Sequence, residues 1–122
     1  MKQIYNNDKD GRPWVYIAGP YSQGDPVQNT RRAILVANMI VDYGVVPIVP
    51  HLTMTWDLSF PRPPLFWYEY TLDLLRRCDA IYRIKGESVG ADKEWAWAEK
   101  NNLTLLRTPE ELVNWAQAKG VR

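Results

Sequence analysis

Short apolar runs alternate along the chain with longer segments in which apolar residues recur every three or four positions. The short runs predict strands at residues 14–18, 45–49, 80–84 and 103–106. The longer segments predict helices at residues 26–43, 66–77 and 94–100, and a last helix that begins at Thr108.

This alternation predicts an α/β fold in which a parallel sheet is covered by helices on both faces. We expect a doubly wound, Rossmann-like sheet of four to five mostly parallel strands. Pro47 interrupts the second strand, which favours a place at the edge of the sheet. The 122 residues suffice for one domain, so we expect a flexible arm at residues 1–13 and the domain at residues 14–122.

The first predicted helix has an apolar stripe and a stop signal. Gly44 is placed to end it. The spacing predicts a buried face that consists of Ala33, Ile34, Ala37, Ile40 and Val41.

Three loops are expected to meet where ligands bind. In open parallel sheets, ligands occupy the crevice beyond the carboxyl ends of the strands. Residues 19–25, 50–64 and 85–92 follow the first three predicted strands. The stretch 52–64 contains Pro61, Pro63 and Pro64, and we expect it to be irregular and either functional or mobile.

Composition restricts the class of protein. The chain is 46% hydrophobic and 24% charged with a net charge of +1, which gives no broad electrostatic reason for binding nucleic acid or a membrane. A single cysteine and a single histidine argue against a disulfide or a zinc cluster, so we expect no metal and no cofactor. We find no signal peptide and no apolar run of membrane-spanning length, and expect a cytoplasmic protein.

The segment 86–94 carries the strongest chemical signal. A turn of small residues before a helix offers backbone N–H groups and the hydroxyl of Ser88 to an anion. We expect Glu94 in the first turn of that helix, where the dipole favours a carboxylate that could attack a sugar carbon. The alternatives are that Glu94 only complements the dipole, that Asp92 caps or charges the helix start, and that Ser88 is a structural turn residue.

Other candidates lie in the remaining loops. Residues 19–25 could bind phosphate or ribose, but they match no nucleotide-binding fingerprint and fit an ordinary turn equally well. Arg31 or Arg32 could reach back toward a phosphate, but a solvated helix face is favoured for both. Asp79 is expected in a structural role at the amino edge. In the loop after the second strand, His51 and Asp57 could contact a base or ribose. The aromatic residues Trp56, Phe66, Trp67 and Tyr68 could wall a base pocket, fill the core or form an interface.

Segments 16–22, 49–52, 78–80 and 86–94 together resemble the nucleoside 2-deoxyribosyltransferase-like superfamily, especially its small bacterial and phage branch. The resemblance implies cleavage of the N-glycosidic bond of a nucleoside or nucleoside 5′-monophosphate, with water or another base as the acceptor. It gives Glu94 the role of nucleophile, Tyr16 that of positioning it, and Ser88 that of binding the phosphate. The implied substrate and phosphate contacts are Gly19, Pro20, Tyr21, Ser22, Gly24, Ser88, Gly90 and Asp92.

One position departs from the pattern of these relatives. Thr71 stands where they usually carry an aspartate that protonates or orients the base, and a threonine cannot serve as a carboxylic acid. Asp73 lies about 200° around the helix from Thr71 and cannot replace it without a shift in the helix. Asp57, Asp92 or His51 could supply the function from a loop, and the sequence does not distinguish among them. The alternatives are a nucleotide-binding module without catalysis and cleavage of the nicotinamide–ribose bond. The resemblance also implies a homo-oligomer, for which residues 66–70 are a plausible contact surface.

Overall fold

The computed structural model describes residues 11–120. Most of the predicted arm, residues 1–10, therefore lies outside the described residues. The strands are β1 (Trp14–Ala18), β2 (Val46–Ile48), β3 (Ala80–Arg83) and β4 (Thr104–Leu106). The helices are α1 (Pro26–Ile40), α2 (Thr53–Ser59), α3 (Pro64–Leu75), α4 (Val89–Lys100) and α5 (Pro109–Lys119), with 3₁₀ turns at Val41–Tyr43 and Pro50–Leu52.

The four strands of residues 11–120 form one parallel sheet in the order β2-β1-β3-β4. The predicted doubly wound α/β fold is therefore confirmed. Strand β2 lies at the edge, as Pro47 indicated. Pro47 is the partner of Val15. An edge strand forms ladder hydrogen bonds on one side only, so a residue without an N–H group is tolerated there.

Alternate residues of β1 divide the core into two layers. Val15 and Ile17 pack with residues of α1 and α5. Tyr16 and Ala18 point to the other face, where they pack with residues of α3 and α4. Helices thus cover both faces, and the two-residue period of the strand directs the Tyr16 side chain toward α4.

The buried face predicted for α1 is wrong in part. Ala33 and Ile40 are buried, but Ile34 is 44% exposed and Val41 lies in the 3₁₀ turn after the helix and is also exposed. The helix contacts the core along a narrow stripe that also includes Asn29 and Thr30. Ile34 follows Ala33 by one residue, which turns it about 100° away from that stripe.

The prediction of an irregular stretch at residues 52–64 is also wrong. Residues Thr53–Ser59 form α2, and only the segment between Ser59 and Pro64 is irregular. The three prolines all follow α2, and Pro64 occupies the first position of α3, where a proline is tolerated. Within residues 11–120 no helix is long and apolar enough to cross a bilayer.

Candidate active site

The loops that follow β1, β2 and β3 meet around a cavity of about 310 Å³. This volume is at the lower end of the range for small-molecule sites. The candidates from the sequence that line it are Gly19, Tyr21, Ser22, His51, Trp67, Tyr68, Thr71, Ser88, Gly90 and Glu94. The cavity thus lies at the carboxyl edge of the sheet, where the topology of the fold favours ligand binding.

Glu94 lies deeper in its helix than the sequence suggested. Helix α4 begins at Val89, because the Ser88 hydroxyl oxygen caps it by accepting a hydrogen bond of 3.1 Å from the Ala91 N–H. Glu94 is therefore beyond the first turn, and its predicted place there is wrong. The field of the helix dipole falls off within that first turn. It does not decide the charge of this carboxyl group.

Burial controls the charge of Glu94 instead. Loss of hydration raises the pKa of this carboxyl group to about 7, although the hydrogen bond from Tyr16 and the charge of Arg83 both lower it. The expected dipole-stabilised carboxylate is thus replaced by a group that is close to half ionised at neutral pH. A carboxyl group with such a pKa, on the wall of a cavity, is typical of catalytic sites.

Tyr16 holds the Glu94 carboxyl group from the side of the sheet. Its hydroxyl donates a hydrogen bond to Glu94 Oε2. The Tyr16 side chain is fully buried, and burial followed by the nearby Glu94 charge raises its pKa well above the usual value. Tyr16 therefore stays protonated and remains a hydrogen-bond donor. It does not line the cavity itself but fixes the group that does.

Thr71 is buried beside this pair. Its hydroxyl lowers the pKa of Tyr16, which indicates that it lies within reach of the phenol oxygen. The same hydroxyl donates to the backbone oxygens of Trp67, at 2.9 Å, and Tyr68, at 3.2 Å. Thr71 is thus part of the cavity wall, and its proton is directed at its own helix.

Arg83 organises the turn before α4 and was not among the residues predicted from the sequence. Its guanidinium donates to the backbone oxygens of Ile84 and Gly86, and to Asp92 Oδ1 at 2.8 Å. The Asp92 side chain is 72% exposed and paired with Arg83, so it does not line the cavity as a phosphate contact would. A cation at the carboxyl end of an otherwise apolar strand was the available signal.

Pro20 and Gly86 bring two of the loops into contact. Gly86 has a φ of +131°, and a Cβ there would lie 2.6 Å from Pro20 Cγ. Pro20 is buried against this turn and does not line the cavity. Gly24 supplies a left-handed turn with a φ of +88° and also lies outside the cavity lining. Pro20 and Gly24 therefore shape the loop after β1 without facing the cavity.

His51 is a neutral, buried side chain on the cavity wall. It is 4% exposed, and its Nε2 lies 3.0 Å from the Pro20 carbonyl oxygen, which requires the N–H on that nitrogen. Burial lowers its pKa, and Nδ1 has no hydrogen-bond partner among residues 11–120. His51 therefore braces the first loop and leaves one unprotonated nitrogen unsatisfied.

Trp56 and Asp57 lie behind the cavity wall. Trp67 lines the cavity, and Trp56 packs edge-on against it with a distance of 5.2 Å between ring centroids. Asp57 accepts hydrogen bonds from the Arg62 N–H at 2.9 Å and from Trp67 Nε1 at 2.6 Å. These bonds lower the pKa of Asp57, so its carboxylate stays charged. The two residues orient Trp67 and do not reach the cavity themselves.

Asn29 holds the first loop and was not among the residues predicted from the sequence. It is 8% exposed, and its Nδ2 donates to the backbone oxygens of Tyr21, at 2.9 Å, and Gln23, at 2.7 Å. Asp25 caps the same helix by accepting from the Val27 and Gln28 N–H groups. A polar residue four positions before a buried alanine was the one local signal of this role.

Replacing Asn29 with alanine should lower the free energy of unfolding by about 1–3 kcal/mol, because two loop carbonyls lose their donor. Asn38→Ala is the matched control, since Asn38 is exposed on the same helix and should change stability by less than about 0.5 kcal/mol. Urea unfolding monitored by circular dichroism measures both. Equal effects of the two substitutions would contradict the role given to Asn29.

Four charged candidates lie away from the cavity. Asp79 accepts a hydrogen bond of 2.7 Å from the Trp14 N–H at the amino edge of the sheet. Asp73 is exposed and paired with Arg76 at 2.8 Å. Arg31 and Arg32 are both exposed on α1.

The cavity thus brings together a carboxyl group of raised pKa, a helix N-terminus and an aromatic wall. The carboxyl group is suited to act as a nucleophile once ionised. Residues Val89–Ala91 at the start of α4 line the same cavity and offer an anion site. Trp67 and Tyr68 provide surfaces on which a flat ring can stack.

Comparisons with known sequences place the chain in a family. No curated protein sequence matches it. The family profile of a domain of unknown function, DUF7768, matches residues 13–108. Because the match spans most of the 122 residues, from before β1 to just beyond β4, the chain belongs to the DUF7768 domain family.

Proposed function

We propose that this protein cleaves the N-glycosidic bond of a nucleoside 5′-monophosphate, with Glu94 as the nucleophile. The observation that carries the proposal is a partly buried carboxyl group, held by Tyr16, on the wall of a cavity that also has a helix N-terminus and aromatic side chains. The resemblance of the sequence to the nucleoside 2-deoxyribosyltransferase-like superfamily supports the same reaction.

In the proposed reaction, the ionised Glu94 oxygen forms an ester bond with C1′ as the bond from C1′ to the base breaks. Water then attacks C1′ and releases the carboxylate. Another base in place of water would give transfer. A carboxylate next to C1′ also stabilises the positive charge that develops on the sugar ring in such reactions.

The phosphate of the substrate is assigned to the start of α4. The Ser88 oxygen accepts from the Ala91 N–H, which leaves the Ser88 hydroxyl proton free to be donated to a phosphate oxygen. The helix dipole favours an anion at this position. The aromatic side chains of Trp67 and Tyr68 would then contact the base.

Incubation with a panel of nucleosides and their 5′-monophosphates, followed by chromatography for the free base, tests the proposal. We expect base release from at least one monophosphate and slower release from the matching nucleoside. Absence of base release from every member of the panel would overturn it. Thermal stabilisation by a monophosphate without turnover would favour the second candidate, a nucleotide-binding module, which the threonine at position 71 supports.

The pH dependence of kcat/KM should follow the ionisation of Glu94. Because the carboxylate is the reactive form and its pKa is raised to about 7, kcat/KM should rise with pH up to that value and level off above it. A nucleoside substrate gives the cleaner profile, since the phosphate group has its own pKa of about 6. A profile that is flat between about pH 5 and 8 would contradict the assignment.

We further propose that the chain forms a homo-oligomer through α2 and α3. Exposed apolar side chains of these helices and the segment between them support this: Trp56, Leu58, Phe60, Leu65, Tyr68 and Tyr70. Large exposed apolar patches mark interaction surfaces in soluble proteins. Light scattering that gives the mass of one chain would exclude it.

A further inference from the structure

Among the described residues, the part of the cavity that would face the leaving base has no carboxyl group and no cationic histidine to protonate that base. The Thr71 hydroxyl donates its hydrogen bond to the backbone oxygens of Trp67 and Tyr68. An aliphatic hydroxyl is also not acidic at neutral pH. His51 is kept neutral by burial, and its Nε2 proton is directed at the Pro20 carbonyl oxygen. Neither side chain can protonate a base as it departs.

Glu94 is the one carboxyl group among the described residues that line the cavity. The proposed reaction uses it as the nucleophile, and it must be ionised for that step. A positioned general acid contributes typically about 10²–10⁴-fold to such a reaction. A substrate whose base needs no proton would not depend on that contribution.

The wall that would face the base is suited to a flat cation. Trp67 and Tyr68 line it, and aromatic faces attract positive charge. The Trp67 Nε1–H donates to Asp57, whose lowered pKa keeps a full negative charge next to the indole. Within residues 11–120 the hydrogen-bond partners of Asp57 are an N–H group of the backbone and the indole, and Asp57 forms no ion pair there.

From this arrangement we propose that the leaving group is a cationic heterocycle, such as a pyridinium or an N7-alkylated purine. The inference rests on the proposed function and names its class of substrate. The C1′–N bond breaks with its electron pair going to the ring nitrogen, which neutralises the ring, while a Glu94 oxygen bonds to C1′. Water then replaces Glu94 at C1′, and its proton is released to solvent. The base therefore leaves as a neutral molecule without being protonated.

A matched pair of substrates tests this inference: guanosine 5′-monophosphate and its 7-methyl derivative. They share sugar and phosphate, but the methyl group gives the second a cationic leaving base. We expect kcat/KM to be about 100-fold higher or more for the 7-methyl nucleotide, as for a site that supplies no general acid. Nicotinamide mononucleotide, a pyridinium, should be cleaved as well.

The variant Thr71→Asp introduces a carboxyl group at the cavity wall. It should raise kcat/KM for guanosine 5′-monophosphate and so narrow the ratio between the two substrates by at least about tenfold. Thr71→Asn is the control, because asparagine is similar in shape to aspartate but has no acidic proton. It should leave the ratio between the two substrates unchanged. If Thr71→Asp fails to fold, the ratio of kcat/KM between the two guanine nucleotides in the unsubstituted protein still tests the inference about the leaving group.

The outcomes separate the two proposals. Equal kcat/KM values for the two guanine nucleotides would overturn the inference about the leaving group and leave the proposed N-glycosidase activity standing. No base release from either guanine nucleotide or from nicotinamide mononucleotide would overturn this inference. If the wider panel also released no base, the proposed function would fail with it.

Discussion

Replacing Glu94 with glutamine should abolish base release and, above pH 7, make the protein more stable. Loss of a nucleophile should lower kcat on the order of 10³-fold or more. Glutamine has nearly the shape of the protonated side chain, and its amide oxygen can still accept the hydrogen bond from Tyr16. The activity and the stability of the fold should therefore change in opposite directions.

The sign of the stability effect follows from the raised pKa. The pKa of Glu94 is about 7 in the folded protein against a reference value of 4.5, so the folded state binds the proton more tightly than the unfolded chain does. Stability contributed by this group is fully present below pH 4.5 and is lost as pH rises to about 7. Above that pH the cost of the buried charge is on the order of 3 kcal/mol.

Urea unfolding of the Glu94→Gln variant at pH 4.5 and pH 8 measures this cost. The variant should be similar in stability to the unsubstituted protein at the lower pH and more stable at the higher one. Glu99→Gln is the matched control, because Glu99 is exposed on the same helix and should change neither activity nor this difference. A difference in stability that is the same at both pH values would contradict the burial of the charge.

Replacing Tyr16 with phenylalanine should shift the pH profile of kcat/KM to higher pH. The Tyr16 hydroxyl lowers the pKa of Glu94, so its removal raises that pKa and leaves less carboxylate at neutral pH. A hydrogen bond to a charged group is worth about 1.5–3 kcal/mol, so kcat/KM near pH 7 should fall about 10–100-fold. The loss in kcat/KM should be smaller at high pH, where Glu94 is ionised in both the variant and the unsubstituted protein.

Tyr82→Phe is the control for this variant. Tyr82 lies on the neighbouring strand β3, opposite Ile17, and is buried in the other layer of the core. Its substitution should leave the pH profile unchanged. A Tyr16→Phe profile with the same midpoint as that of the unsubstituted protein would show that the hydroxyl does not tune Glu94.

Local sequence signals were sufficient for most of the sheet and for the last helix. The apolar run at β1 and the cap at Thr108 each depend on neighbouring residues alone, and both elements were predicted closely. The start of α4 was missed because Val89 and Gly90 are poor helix formers. Their place in a helix depends on the cap provided by Ser88. Helix α2 was missed because the prolines that follow it dominated the interpretation of the whole stretch.

The charge state of the site could not be predicted from local sequence. The expected ionised Glu94 followed from the dipole of its helix, but its pKa depends on burial against residues distant in the chain, including Tyr16. The roles of Asn29 and Arg83 were not predicted for a similar reason, since both side chains donate hydrogen bonds to backbone oxygens of loops. Such contacts depend on how the loops fold and leave no motif.

The proposed attack of Glu94 on C1′ can be tested most directly by trapping the ester. The protein would be mixed rapidly with a nucleotide that it cleaves, quenched with acid, digested and examined by mass spectrometry. We predict a pentose 5-phosphate adduct on the peptide that contains Glu94, and no adduct in Glu94→Gln. Base release with no adduct at any quench time, or an adduct on a different residue, would contradict the assignment of Glu94 as nucleophile.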